Sequence, residues 1–365
     1  MKVANITQLL EQMASSYLQE SYDNVGLLVG NDQMECTGIL CTLDVTEDIV
    51  AEAILHKFNV IVAHHPLIFG GIKKITGKNY VEKTLIAAIK NDIAIYSIHT
   101  NLDNVLSGVN GIIADKLGLI NRNVLLPKEN MLRKLYTFVP TSHIDKVKQA
   151  MFNAGAGNIG EYSECSFGVK GEGTFKASEN TNPFVGEKNI RHTEEEIKVE
   201  VIFPFYLQQN ILKARIEAHP YEEVAYDIVN LQNSYSRIGS GLIGELKEPV
   251  EENLFMEFIK KQFGLRTIRH TALLGKPIKK VALCGGAGSF LTQKAIAAKA
   301  DIYISADFKY HEYFDAEGKI IIADIGHWES EQFTIDLLTE VLQSNFPTFA
   351  VLKTKMNTNP VFYFH

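Results

Sequence analysis

A chain of 365 residues is longer than one hydrophobic core usually supports, so its length predicts two domains. Its 46% hydrophobic and 22% charged residues are typical of a folded globular protein, and the net charge of −7 lacks the basic surface that a nucleic-acid partner requires. No apolar run is long enough to cross a bilayer, the first 18 residues predict an amphipathic helix rather than a signal peptide, and the four cysteines form no CxxC pair. These features predict a cytoplasmic protein.

The first third of the chain alternates short apolar strands with helical stretches. The sequence predicts strands over 38–43, 60–63 and 94–98, and helices over 47–57, 80–91 and 110–117. Alternation of this kind predicts an α/β layer architecture with a largely parallel sheet.

A different order of elements follows between residues 128 and 234. The predicted elements are a strand over 135–139, a helix over 144–154, a glycine-rich hairpin over 162–177, a strand over 198–203, a helix over 207–218 and a strand over 225–231. The order βαββαβ predicts a ferredoxin-like α+β module. We therefore expect a discontinuous α/β domain of residues 1–127 and 235–365, with residues 128–234 as an inserted domain.

The α/β alternation returns near the C-terminus. Strands are predicted over 280–284, 302–305, 320–324 and 350–352, with helices over 290–300 and 330–345. These elements complete the first domain.

Two adjacent histidines, His64 and His65, end the apolar strand over 60–63, and Pro66 prevents the strand from continuing. Ligand sites in open α/β sheets gather beyond the carboxyl ends of strands. Adjacent residues leaving a strand point in different directions, so these two imidazoles suit two metal ions better than one. The alternative is a histidine pair at a surface turn.

The strand over 94–98 delivers His99 and Asp103 to the same edge. Asp103 is a hard oxygen ligand of the kind that complements imidazole in zinc, manganese or iron sites. His99 could be a ligand, a partner that orients a ligand, or a packed polar residue. We predict the orienting role, because ligands need such partners.

His327 and Glu331 stand four residues apart where a helix follows the strand over 320–324, so both side chains share one helix face. Glu331 could bridge two ions, whereas Glu329 points elsewhere. Together the three fragments supply three imidazoles and two carboxylates, which suits a dinuclear site with open positions for water.

Two further segments follow strands of the same domain. Gly285, Gly286, Gly288 and Ser289 form a glycine-rich turn whose amides could bind a phosphate or carboxylate of a substrate, although a tight strand–helix turn is an equal alternative.

Three catalytic candidates, Asp307, Lys309 and His311, follow the strand over 302–305. Lys309 could neutralise a substrate anion, and Asp307 or His311 could move protons. The alternative is a surface loop. In the inserted segment, the run HPYEE from His219 is either a binding loop or a turn that ends the preceding helix.

The motifs in this order resemble those of the GTP cyclohydrolase 1 type 2 homologue family, the Nif3-like dinuclear-metal proteins. The matching runs are DNVGLLVG from Asp23, HHPLIF from His64, SIHTNLD ending at Asp103, GGAGS from Gly285, DFKYHE from Asp307, DIGHWESE from Asp324 and TNPVF from Thr358. One departure is Ala306, where the family's loop is expected to carry glycine. The middle segment is similar to the PII- or CutA-like insertion of the longer bacterial members.

By this resemblance, the family's metal ligands correspond to His64, His65, Asp103, His327 and Glu331. It further implies two divalent ions per chain, with zinc expected first and iron or manganese as alternatives, and a homohexamer whose sites face an internal cavity. The family name implies hydrolytic opening of the guanine imidazole ring of GTP, so the leading hypothesis is a metal-dependent hydrolase acting on GTP or a related nucleotide. The alternatives are a metal-binding regulatory or chaperone-like hexamer without turnover, and a general dinuclear phosphoesterase or amidohydrolase.

Overall fold

The computed structural model describes residues 1–364, which form two compact units. The first unit comprises Met1–Pro127 together with the chain from Arg237 onward, and the second comprises Lys128–Ser236. The second unit is therefore an insertion in the sequence of the first. Among the described residues, no helix combines the length and apolar character needed to span a membrane.

The part of the first unit before the insertion contains five helices and five strands. In chain order they are α1 (Val3–Met13), β1 (Gly26–Val29), β2 (Ile39–Thr42), α2 (Glu47–Leu55), β3 (Val60–Ala63), α3 (Tyr80–Lys90), β4 (Ala94–Ser97), α4 (Thr100–Asp103), α5 (Val109–Lys116) and β5 (Ile120–Pro127). Helices α2 and α3 begin where the side chains of Thr46 and Asn79 accept hydrogen bonds from backbone amides three residues later.

The inserted unit has the predicted βαββαβ order. Its elements are β6 (Leu132–Pro140), α6 (Ile144–Asn153), β7 (Phe167–Lys176), β8 (Arg191–Pro204), α7 (Gln208–Ala218) and β9 (Tyr226–Asn230). They form an antiparallel sheet in the order β7-β8-β6-β9, with an apolar core between the sheet and the two helices. This arrangement confirms the ferredoxin-like α+β class.

One predicted element of the insertion is wrong. The hairpin expected over 162–177 is a single strand, β7, and its partner is β8, which begins at Arg191 rather than at 198. Almost all of β7 is exposed, and the first half of β8 is polar up to Ile197, so the alternation of apolar and polar residues that marks a half-buried strand is missing there.

After the insertion the first unit continues to β15. The elements are β10 (Gly239–Val250), α8 (Glu252–Phe263), β11 (Arg269–His270), β12 (Ile278–Ala287), α9 (Thr292–Ala297), β13 (Ile302–Ala306), β14 (Ile321–Asp324), α10 (His327–Glu331), α11 (Thr334–Asn345) and β15 (Val351–Lys353). The single long helix predicted over 330–345 is therefore wrong. The chain turns at Gln332 and Phe333. There the side-chain amide of Gln332 donates to the Phe263 carbonyl oxygen, and the Phe333 ring packs on the Phe263 ring.

The first unit holds two sheets, each with parallel strands at its centre. One has the order β1-β4-β3-β2-β15 and is parallel except for β1. The other has the order β11-β14-β13-β12-β10-β5, in which β12, β13 and β14 are parallel and the remaining pairings antiparallel. Every residue of β2, β3 and β4 is buried, as expected when both faces of a parallel sheet are covered.

Candidate metal centre

The five predicted ligands are brought together from both sheets of the first unit. His64 and His65 follow β3, Asp103 ends α4 just after β4, and α10 carries the other two after β14. The structure groups these residues into two overlapping sets, in each of which the ligand atoms lie within 4.8 Å of one another: His64, Asp103 and Glu331, and His65, His327 and Glu331. Glu331 is the member that the two sets share.

The two oxygens of Glu331 face different histidines. Its Oε2 lies 2.9 Å from His65 Nε2 and 3.2 Å from His327 Nε2, whereas Oε1 lies 3.9 Å from His64 Nε2. On the far side, His64 Nε2 is 3.6 Å from Asp103 Oδ1. This is the arrangement in which a carboxylate can bridge two cations.

Each of the three imidazoles is held through Nδ1 by an acceptor outside the centre. The pairs are His64 with the Ile98 carbonyl oxygen at 2.8 Å, His65 with Asp44 Oδ1 at 2.8 Å, and His327 with Asp307 Oδ2 at 2.7 Å. These bonds leave Nε2 of each ring directed at the centre. Partners of this kind set the ring orientation and raise the basicity of histidine ligands.

His99 lies beside this cluster. Its Nδ1 is 2.8 Å from Asp23 Oδ1, and its ring centroid lies 5.2 Å and 5.3 Å from those of His64 and His65. Asp23 is buried, and although burial raises its pKa, the bonds from His99 and Thr100 outweigh that effect and lower it to about 2. The same ring also belongs to a third possible ligand set with His64 and His65, so its orienting role stays a prediction.

Two imidazoles of the cluster hold protons strongly. Burial lowers the pKa of His65, but Glu331 and Asp44 outweigh it and raise it to about 10. Burial likewise lowers the pKa of His327, and Glu331 and Asp307 raise it to about 11. A cation that binds Nε2 of either ring must displace a proton.

The donor set fits divalent cations. His64 Nε2 and Asp103 Oδ1 are buried and have no hydrogen-bond partner, although buried polar atoms are nearly always satisfied. Burial and the charge of Glu331 raise the pKa of Asp103 to about 7, because the positive charges of His99 and His65 only partly compensate them. A cation between these atoms would supply the missing bonds and further positive charge.

The predicted glycine-rich substrate loop has a different local role. Gly285 and Gly286 are buried at the end of β12, and their amides donate to Asn110 Oδ1 and Ser330 Oγ, both at 2.9 Å. These two amides are therefore engaged and do not form the expected phosphate cradle. A Cβ on Gly286 would lie 2.3 Å from Glu331 Oε1, so the glycine is needed for Glu331 to approach.

The other two members of that loop lie further along. A Cβ on Gly288 would lie 2.3 Å from Ser305 Oγ, so this glycine too permits close packing. Ser289 is half-buried and begins a short 3-10 turn before α9.

The three catalytic candidates after β13 have different contacts in the structure. Asp307, held at a positive φ of 59°, contacts His327 and so positions a predicted ligand. Lys309 is exposed, and its backbone amide donates to Glu312. His311 is also exposed, and its ring contacts are with Tyr310 and Phe314 in an aromatic cluster.

Sequence reasoning missed Asp44, which holds the His65 ring. Asp44 also accepts a hydrogen bond of 2.6 Å from the Thr358 hydroxyl. It comes two residues after β2, just as His64 comes directly after β3, so the strand-end rule that found the histidines could have found it. Ser330 and Asn110, which hold the glycine amides, carried no comparable signal.

Comparison with known proteins places the chain in a family. The model of the Duf34/NIF3 (NGG1p interacting factor 3) family matches residues 1–360. Two relatives named GTP cyclohydrolase 1 type 2 homolog are 35% identical over 375 residues (Staphylococcus epidermidis, all of both chains) and 40% identical over 333 residues (Halalkalibacterium halodurans, 90% of this chain and 89% of the relative). The crystal structure of a Bacillus cereus protein related to NIF3 is similar, with a TM-score of 0.87 and 36% identity over 100% of this chain and 99% of that one. The chain belongs to the Duf34/NIF3 family.

Proposed function

We propose that the protein is a metal-dependent hydrolase that holds two divalent ions and acts on GTP or a related nucleotide. The observation that carries the proposal is the buried Glu331, which faces the pair His65 and His327 with one oxygen and the pair His64 and Asp103 with the other. The relatives are named GTP cyclohydrolase 1 type 2 homolog, and this name motivates the choice of substrate.

The residues divide into those that would hold the ions and those that position them. His64, His65, Asp103, His327 and Glu331 would be the ligands, and imidazole with carboxylate suits zinc first, with iron or manganese as alternatives. When bound, a pair of such ions lowers the pKa of water and polarises a substrate oxygen.

The positioning residues act through the histidines. Asp44 and Asp307 each hold an imidazole Nδ1, so that His65 and His327 present Nε2 to the centre without further reorientation. Asp307 and Asp44 would also offset part of the positive charge of bound ions, because each carboxylate contacts an imidazole of the centre. We also propose a homohexamer, as the family resemblance implies.

The metal content of protein purified without chelator tests the site. Wild type should carry about two equivalents per chain, and Glu331→Gln should lose most of them because both ligand sets share this carboxylate. Glu329→Gln is the matched control, because it removes the same charge two residues earlier in the chain. The Glu329 side chain accepts a hydrogen bond from Asn359. Equal metal content in all three proteins would contradict the proposed ligand set.

Release of formate from GTP by the metal-loaded protein tests the substrate separately. Turnover that disappears in Glu331→Gln and persists in Glu329→Gln supports the hydrolase. Metal binding without formate release refutes GTP as substrate, and a further absence of turnover on other nucleotides and on generic esters would favour a regulatory protein.

A further inference from the structure

The inserted unit buries an arginine in its apolar core. Arg215 lies on the inner face of α7 with Ile211 and Ala218, and its side chain is 1% exposed. Removing a guanidinium from water is strongly unfavourable unless an opposite charge and hydrogen bonds accompany it. The partners of Arg215 therefore decide what this residue does.

No carboxylate of the described residues forms an ion pair with Arg215. Its Nη1 donates to Thr137 Oγ1 at 3.2 Å, and its Cζ lies 4.2 Å from the ring centroid of Tyr226. The Nε–H is buried without a partner. A guanidinium has five donors in a planar fork, and here most of that capacity is unused.

His219, at the end of the same helix, cannot supply the missing charge. His219 bonds the Phe138 carbonyl oxygen through Nε2 at 2.9 Å and accepts a hydrogen bond of 3.1 Å from the Tyr221 amide at Nδ1. One nitrogen donates and the other accepts, so the ring is the neutral tautomer. Burial lowers its pKa, which keeps it neutral, and the positive charge of Arg215 stays uncompensated.

We propose that Arg215, Thr137 and Tyr226, here called the Arg215 site, bind a small oxyanion through a carboxylate or phosphoryl group. The oxyanion would accept hydrogen bonds from the Nε–H and Nη–H groups, a bidentate geometry that the guanidinium fork matches. Tyr226 covers the guanidinium from the edge strand β9 and is 45% exposed, so rotation of its side chain toward solvent would open the site. The inserted unit is thus a ligand-binding module.

The test is the response of thermal unfolding to inorganic phosphate and, separately, to acetate, replacing chloride at constant ionic strength and pH. Arg215→Met keeps the length of the side chain and removes its charge. Lys213→Met is the matched control, because it removes the same charge from an exposed position of α7. Any anion bound at the candidate metal centre acts equally on all three proteins.

We expect a saturable rise in the unfolding temperature for wild type and Lys213→Met, with affinity weaker by about tenfold or more in Arg215→Met. Without added anion, Arg215→Met should be at least as stable as wild type, because a buried unpaired charge has been removed. Identical responses in all three proteins, together with a destabilised Arg215→Met, would overturn the proposal and make Arg215 a structural cation–π partner.

A measurement on the wild-type protein keeps the test decisive if Arg215→Met does not fold. The arginine Nε–H resonance of Arg215 should shift as phosphate or acetate is added and saturate at the same concentration as the thermal response. A resonance that neither anion moves would refute the site.

Discussion

At the scale of single residues, the candidate centre depends on groups that are not themselves ligands. Each predicted histidine ligand reaches the centre through Nε2 because its Nδ1 is bonded elsewhere, to a carbonyl oxygen for His64 and to aspartates for His65 and His327. Glu331 connects the histidines electrostatically. Burial opposes its ionisation, but the charges of His327 and His65 outweigh burial and hold the pKa of Glu331 well below its usual range. Metal affinity should therefore depend on the residues that bond the predicted ligands, such as Asp44 and Asp307.

Asp307→Asn tests this positioning role. Asparagine tolerates the left-handed backbone found at this position, so the loop should keep its shape while the charge at His327 Nδ1 is lost. We expect metal affinity, measured by competition with a chelator, to fall about 10- to 100-fold. Asp315→Asn, on the exposed turn that follows, is the control, and equal affinities for the two variants would show that Asp307 does not act on the centre.

At the scale of elements, the end of β12 and the end of α10 lie so close that only glycine fits between them. A Cβ at Gly286 would lie 2.3 Å from Glu331 Oε1, and Ser330 of α10 accepts the hydrogen bond of the Gly286 amide. The glycine-rich run thus serves the packing of α10 against the sheet that positions Glu331.

Gly286→Ala is expected to displace Glu331 and to lower the bound metal well below that of wild type. Part of the effect is backbone strain, since Gly286 has a φ of +61°. Gly318→Ala separates the two contributions, because Gly318 has a similar φ of +65° and open space around its Cβ position. Metal analysis of both variants should show a loss only for Gly286→Ala; a loss shared by both would assign the effect to strain.

At the scale of the whole molecule, every predicted metal ligand belongs to the first unit, although that unit is interrupted in sequence by 128–236. Pro127 and Gly239 are direct partners on the neighbouring strands β5 and β10, so the chain leaves and re-enters the first unit at adjacent positions. The insertion therefore connects two strands that a short hairpin turn could also connect.

Replacing residues 128–236 by a two-residue turn should leave metal content unchanged, because neither ligand set loses a member. The Arg215-dependent response to phosphate should disappear with the inserted unit. Metal analysis and thermal unfolding of the shortened protein check both expectations. Complete loss of metal from a folded shortened protein would show that the centre requires the insertion.

Local sequence patterns determined most of the elements and the identity of the candidate ligands. Apolar runs predicted the buried strands β2, β3 and β4, and the four-residue spacing of His327 and Glu331 predicted a shared helix face, because both signals depend only on neighbours along the chain. The same reasoning failed for β7, which is largely exposed, and for the first half of β8, which is polar up to Ile197, because neither stretch carries a periodic apolar signal.

Only the tertiary structure decided how distant segments meet. That two separate sheets bring His65 within 2.9 Å of Glu331, that Gly286 makes room for this carboxylate, and that Arg215 is buried without a counter-charge all depend on contacts between residues far apart in sequence. A pattern in one segment carries the preference of that segment for burial or exposure. It does not specify which other segment will cover it, because that depends on the packing of the whole unit.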